Sequence, residues 1–245
     1  MRKNVKIYVG YDSREDIAWQ VCRLSLLRHA SSIIEICPLK QQALRELGLY
    51  TRGPDKASTE FSLTRFLTPY LAAHDGWTIF VDCDFLFTAN VLKVLDGTDR
   101  SKAVHVVKHD YTPAKTMKMD GRVQTAYPRK NWSSFMLFNN AHPQVKALTP
   151  EVVNRESPAF LHRFGWVGND ELIGEFPLTW NFLEGEYPKQ VQTPNAIHFT
   201  NGGRWFSNKQ NVDYADLWCA ERDRYLATGL RIAATNERAI PFRSG

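Results

Sequence analysis

The segment Trp77 to Phe87 reads Trp-Thr-Ile-Phe-Val-Asp-Cys-Asp-Phe-Leu-Phe, two carboxylates set inside an almost continuous apolar run. Five such residues without polar alternation predict a strand buried on both faces, and so a sheet covered by helices. Asp82 and Asp84 then emerge at the C-terminal end of that strand, where open α/β sheets collect ligands. Residues two apart on a regular strand face the same way. Desolvating a carboxylate costs several kcal/mol unless a partner offsets it, so the pair points to a bound cation. The ordinary alternative is an Asp-x-Asp that only opens a turn. Phe85-Leu86-Phe87 argues against a polar loop, because the chain stays apolar beyond the carboxylates.

The rest of the chain supplies the helices such a strand needs. Val5 to Gly10 reads as a first strand, and Asp16 to Arg28 as a helix with Ile17, Val21 and Leu24 on one stripe. Ile33 to Cys37 comes next as a strand, and Gln41 to Leu47 as a helix stopped by Gly48. Thr59 to Ala72 reads as a helix despite Pro69, and Asn90 caps a helix over Val91 to Leu95. Ala103 to Val107, Ser134 to Phe138 and Asn195 to Phe199 are further strands, and Asp213 to Thr228 is an amphipathic helix before Gly229. Arg231 to Gly245 shows no periodicity. Alternation of this kind predicts an α/β fold with a mainly parallel central sheet.

With 245 residues, 43% of them apolar, and no linker, repeat or charge block, the chain reads as a single domain. Within it, three parts are expected, over about residues 1–100, over 101–210, and a helix with tail over 211–245. Four cysteines without a Cys-x-x-Cys pair suit a reducing cytosol. No window reaches the ~20 apolar residues of a membrane span. A net charge of +5 suits an anionic ligand or peripheral contact with an acidic membrane, or is ordinary solubilising charge. Nucleic acid is not expected, because no binding motif accompanies the charge.

His198, on a short apolar strand, is the natural third partner for the two aspartates, and an Asp, Asp, His set suits Mn²⁺ and tolerates Mg²⁺. The glycines Gly202 and Gly203 would let backbone N–H groups approach phosphate oxygens, and Arg204 adds a fork-shaped cation. The turn after the first strand offers Tyr11, Asp12 and Arg14 to a base, a ribose and a phosphate. It has neither a Gly-x-Gly-x-x-Gly nor a P-loop lysine. Arg65 either reaches the same phosphates or forms a surface salt bridge.

Taken in order, Tyr-Val-Gly-Tyr-Asp at 8–12, Thr64-Arg65-Phe66, Phe80-Val81-Asp82-Cys83-Asp84 and Ile197-His198-Phe199-Thr200-Asn201-Gly202-Gly203-Arg204-Trp205 resemble the GT-A glycosyltransferases, nearest family 8 with its glycogenin and galactosyltransferase members. The resemblance implies a Rossmann-like GT-A domain and transfer from a nucleotide sugar, usually a UDP-sugar, to a hydroxyl of a glycan or glycolipid with retained configuration. It implies Asp82, Asp84 and His198 as metal ligands and Arg65 near the donor. It places Ser133 and Ser134 where the family has Ala-Gly beside the sugar, and Asn169 and Asp170 at its Asp-Gln-Asp region. Arg204 replaces the family's usual lysine. An inverting enzyme would instead need Asp170 or Glu171 as general base. Trp166 is the expected acceptor platform among Trp132, Trp166, Trp180 and Trp205, and Lys108 to Lys130 forms a basic loop. A non-catalytic sugar-nucleotide binder and a sugar nucleotidyltransferase are the competing readings.

Overall fold

The computed structural model describes residues 5–53, 59–110 and 128–237, with side chains to residue 228. Six strands, β1 (Lys6–Gly10), β2 (Glu35–Leu39), β3 (Trp77–Val81), β5 (Val104–Val106), β6 (Phe135–Asn139) and β7 (Ile173–Glu175), form the main sheet in the order β2-β1-β3-β6-β5-β7. The β1–β2, β1–β3 and β5–β7 pairs are parallel, and β6 runs antiparallel to both its neighbours. The remaining strands, β4 (Phe85–Phe87), β8 (Phe182–Leu183) and β9 (Ala196–His198), make a second small sheet in the order β4-β9-β8.

Two helices join the layers. α1 (Asp16–His29) buries Trp19, Cys22 and Leu26 in the core of the main sheet. Its other side gives Val21 to a second core with Leu86, Phe182, Ile197, Phe199, Tyr214 and Trp218. The last two belong to the approach and first turn of the C-terminal helix, Ala215–Glu237, which packs on α1. The other helices are short: α2 (Gln41–Glu46), α3 (Thr68–Leu71), α4 (Pro143–Lys146), α5 (Pro150–Arg155) and α6 (Pro158–His162), which makes the C-terminal helix α7. No helix of the described residues is long and apolar enough to cross a membrane.

Several elements differ from their sequence expectation. Asp82-Cys83-Asp84 lies on no strand but in the turn that passes the chain from β3 in one sheet to β4 in the other. The second strand starts at Glu35 and runs through Pro38. It is an edge strand, where a residue without an N–H is tolerated. The helix expected over Thr59 to Ala72 is broken into turns, a 3₁₀ segment at Thr64–Leu67 and the single turn α3, because Pro69 can only stand at a helix start. Asn90 does cap, accepting from the Leu92 N–H at 3.1 Å, but the helix it caps is a 3₁₀ helix. The C-terminal helix extends to Glu237, past Gly229. Residues 111–127, most of the expected basic loop, and 238–245 of the tail lie outside the described residues.

Candidate functional site

The route of the chain through the two sheets assembles the site. Asp82 comes directly after β3, and its N–H donates to the carbonyl of Ser134 at 2.9 Å, which ties the turn to the segment preceding β6. Cys83 points into the core, so the two aspartates on either side of it point outward. In the small sheet, β4 and β9 pair antiparallel with Phe85 opposite His198, and the two rings stack at 4.4 Å. That register brings His198 beside Asp84, with Nε2 3.3 Å from Oδ1. One ligand atom each from Asp82, Asp84 and His198 lies within 4.8 Å of the others. The expected trio is thus brought together by a turn and a sheet register, not by alternation along one strand.

Arg65 is buried, not at the surface. Its Nη1 is 2.9 Å from Asp82 Oδ1 and donates to the Ser133 carbonyl at 2.8 Å. Asp84 Oδ1 is buried and accepts no hydrogen bond. These groups floor a cavity of about 330 Å³ lined also by Arg14, Glu15, Ser133, Ser134, His162 and Gly202.

Glu15 and His162 are pocket residues that the sequence pattern does not reveal. Burial, with the charge of Asp84 next, pushes the Glu15 carboxyl up to about 8. A third carboxyl group thus stands beside the two aspartates, kept protonated at neutral pH by burial and by their charge. His162 Nδ1 lies 2.9 Å from Ser133 Oγ, and its ring meets Phe66 edge-on at 5.3 Å. Neither residue lies in an apolar run or a motif. Glu15 reaches the pocket from the 3₁₀ turn Ser13–Glu15 after β1, and His162 from the end of α6, so only the folded chain brings them into view.

Other expected residues are placed elsewhere. Asp12 is fully buried; its carboxylate accepts from the Arg14 guanidinium at 2.9 and 2.7 Å and from the N–H groups of Arg14 and Glu60. It organises the turn and holds Arg14, and only Arg14 of that pair lines the cavity. Tyr11 is likewise not a lining residue; its hydroxyl donates to Asp16 and Lys40 sits over its ring. Gly203 is required by close packing, since a Cβ there would meet the Trp205 ring at 2.2 Å. Arg204 donates to the Gln210 carbonyl at 2.7 Å and does not line the cavity. Asn169 caps the next turn by accepting from the Glu171 N–H, and Asp170 is exposed and paired with Arg129. Neither belongs to the pocket wall, and Glu171 is exposed beside them. Trp166 is a core residue between Phe138 and Phe164 and offers no platform.

Solved structures that superpose on this fold include glycosyltransferases. The WbbM bifunctional glycosyltransferase superposes with a TM-score of 0.63 at 16% identity over 91% of this chain, which spans half the length of that protein. GlyE of Streptococcus pneumoniae TIGR4 gives 0.59 at 11% identity, covering 99% of this chain and 66% of its own. The galactosyltransferase LgtC, in complex with donor and acceptor sugar analogs, gives 0.56 at 12% identity over 89% of this chain and 95% of that one. The fold is therefore that of the GT-A glycosyltransferases. In sequence, the chain is 50% identical over 229 residues to Protein CDI of Arabidopsis thaliana, covering 91% of this chain and 88% of that protein, and it belongs to the Protein CDI family. No family model matches it.

Proposed function

We propose that the protein is a metal-dependent glycosyltransferase, of the family 8 kind, which moves a sugar from a nucleotide sugar, a UDP-sugar by that likeness, to a hydroxyl of a glycan or glycolipid. The observation that carries this reading is the Asp82, Asp84 and His198 trio at the floor of a cavity in a GT-A fold. The donor set of two carboxylate oxygens and one imidazole nitrogen fits Mn²⁺ or Mg²⁺. A divalent cation held there would supply Lewis-acid neutralisation of the charge that grows on a leaving diphosphate.

This chain's own residues complete the site. Arg65, locked by Asp82 and the Ser133 carbonyl, and Arg14, locked by Asp12, place two positive charges on the cavity wall. Fixed charges of this kind stabilise the developing anion without reorganising during the reaction. The bond between the anomeric carbon and the diphosphate oxygen breaks, the acceptor oxygen bonds to the anomeric carbon, and the acceptor proton passes to the diphosphate. That route retains configuration and needs no protein base. It suits a wall from which Asp170 and Glu171 are absent, and whose carboxylates among the described residues are Glu15, Asp82 and Asp84. Ser133 and Ser134 line the cavity, the Ser133 hydroxyl beside His162 and the Ser134 hydroxyl bonded to the Asn131 carbonyl and the Asn181 amide.

The test is nucleotide release from UDP-, GDP- and dTDP-sugars with and without Mn²⁺. Metal-dependent release from one donor, reduced at least ~100-fold in Asp84→Ala, is expected. Release that needs no metal and survives in Asp84→Ala would refute the reading.

A further inference from the structure

His198 is held from behind by a residue that does not line the cavity. Asn181 is fully buried between the 3₁₀ turn Leu178–Trp180 and β8. Its Oδ1 lies 2.9 Å from His198 Nδ1. Its Nδ2 donates to Ser134 Oγ at 2.9 Å and to the Asn131 carbonyl at 3.2 Å. The Ser134 hydroxyl spends its own proton on that same carbonyl at 2.7 Å, so its oxygen is free to accept from the amide.

These bonds fix the amide's orientation. Turned over, the amide would set Oδ1 against the Asn131 carbonyl, two acceptors without a proton between them. With Oδ1 toward the ring, only a proton on Nδ1 satisfies both partners. A neutral imidazole carries one ring proton, so Nε2 is left as an in-plane lone pair, 3.3 Å from Asp84 Oδ1. Nε2 and the Asp84 oxygen, which accepts no hydrogen bond, then face one another as two acceptors, an arrangement that a cation between them resolves.

We propose that Asn181 is a positioning residue that holds His198 in the Nδ1–H tautomer and so presents Nε2 as the metal ligand. The proposal rests on the metal centre of the proposed glycosyltransferase site. The same amide closes a circuit: Ser134 and Asn131 belong to the turn whose Ser133 carbonyl accepts from Arg65, and Arg65 pairs with Asp82. Ligands from the β3–β4 turn and from β9 are thereby oriented against each other before any cation arrives. Buried partners of a ligating histidine commonly act in this way and matter roughly tenfold to a hundredfold in metal affinity.

The first test reads the tautomer itself. Long-range ¹H–¹⁵N spectra of the metal-free, histidine-labelled protein at about pH 8, above the ordinary histidine range, are expected to show His198 with a protonated Nδ1 and a bare Nε2. Its signals are assigned as those lost in His198→Asn. A proton on Nε2 would overturn the proposal, and this spectrum does not depend on any Asn181 variant folding. The second test is Mn²⁺ affinity by calorimetry. Asn181→Leu, which removes the acceptor, is expected to weaken binding roughly 10- to 100-fold. Wild-type affinity in Asn181→Leu would overturn the positioning role. A wild-type protein with the Nδ1–H signature that binds no Mn²⁺ would instead remove the metal centre while sustaining the tautomer assignment.

Discussion

Gly203 and His109 are residues of types that often carry chemistry, and here each has a packing task. A glycine beside a candidate phosphate site invites a role in close ligand approach, yet the Trp205 ring occupies the space a Cβ would need. Gly203→Ala is therefore expected to lower the unfolding free energy in urea by about 1–3 kcal/mol. Nucleotide affinity should be unchanged under conditions where the variant is folded. His109 is buried, with Nδ1 3.0 Å from the Tyr187 hydroxyl, and burial, followed by the nearby His198, pushes its pKa down to about 3. Because the folded value lies below the unfolded one of about 6.5, the neutral ring stabilises the protein above about pH 6.5, and that contribution is lost as the pH falls toward about 3. Comparing wild type with His109→Gln in a chelator, the stability difference should move in the variant's favour by up to about 1.4 kcal/mol per pH unit across that window. A constant difference would mean that His109 already titrates normally. The residues legible in the sequence at this scale were those whose chemistry is rare in an apolar setting: Asp82, Asp84 and His198. Asp12, Gly203 and Arg204 each also have a local structural task, a turn, a ring contact and a carbonyl, that adjacent residues in sequence do not advertise.

Elements with strong apolar periodicity, β1, α1, β3 and β6, fall within a residue or so of their expected bounds, because burial on the sheet dictates both pattern and structure. The second sheet was not legible. β8 has two residues, and β4 comes so soon after β3 that the two read as one apolar run interrupted by aspartates. The turn at Cys83 separates them, and packing against α1 and α7 closes the small sheet. Trp218, fully buried there and 5.3 Å from Trp205, is the centre of that layer. Trp218→Ala is expected to cost about 3–5 kcal/mol in chemical denaturation. If the small sheet depends on that layer, the loss should be accompanied by weaker Mn²⁺ binding, since His198 sits on β9. Full metal affinity in a folded Trp218→Ala protein would show that the small sheet holds its register without the helix.

For the whole molecule, a GT-A frame places Asp82, Asp84 and His198, two arginines and a cavity at the C-terminal edge of its central sheet, and the proposed activity rests on that convergence. A cation that binds only the folded protein should raise its stability, by about 2.7 kcal/mol at a hundredfold excess over Kd. Thermal unfolding with and without Mn²⁺ should show this gain in wild type and not in Asp84→Ala. The most direct test of a metal-dependent nucleotide site is a calorimetric titration of UDP into the wild-type protein, first with Mn²⁺ and then with a chelator. Binding is predicted with the metal and a loss of roughly tenfold or more in affinity without it, the same loss appearing in His198→Ala with the metal present. Equal UDP affinity in all three samples, or no binding in any, would contradict such a site.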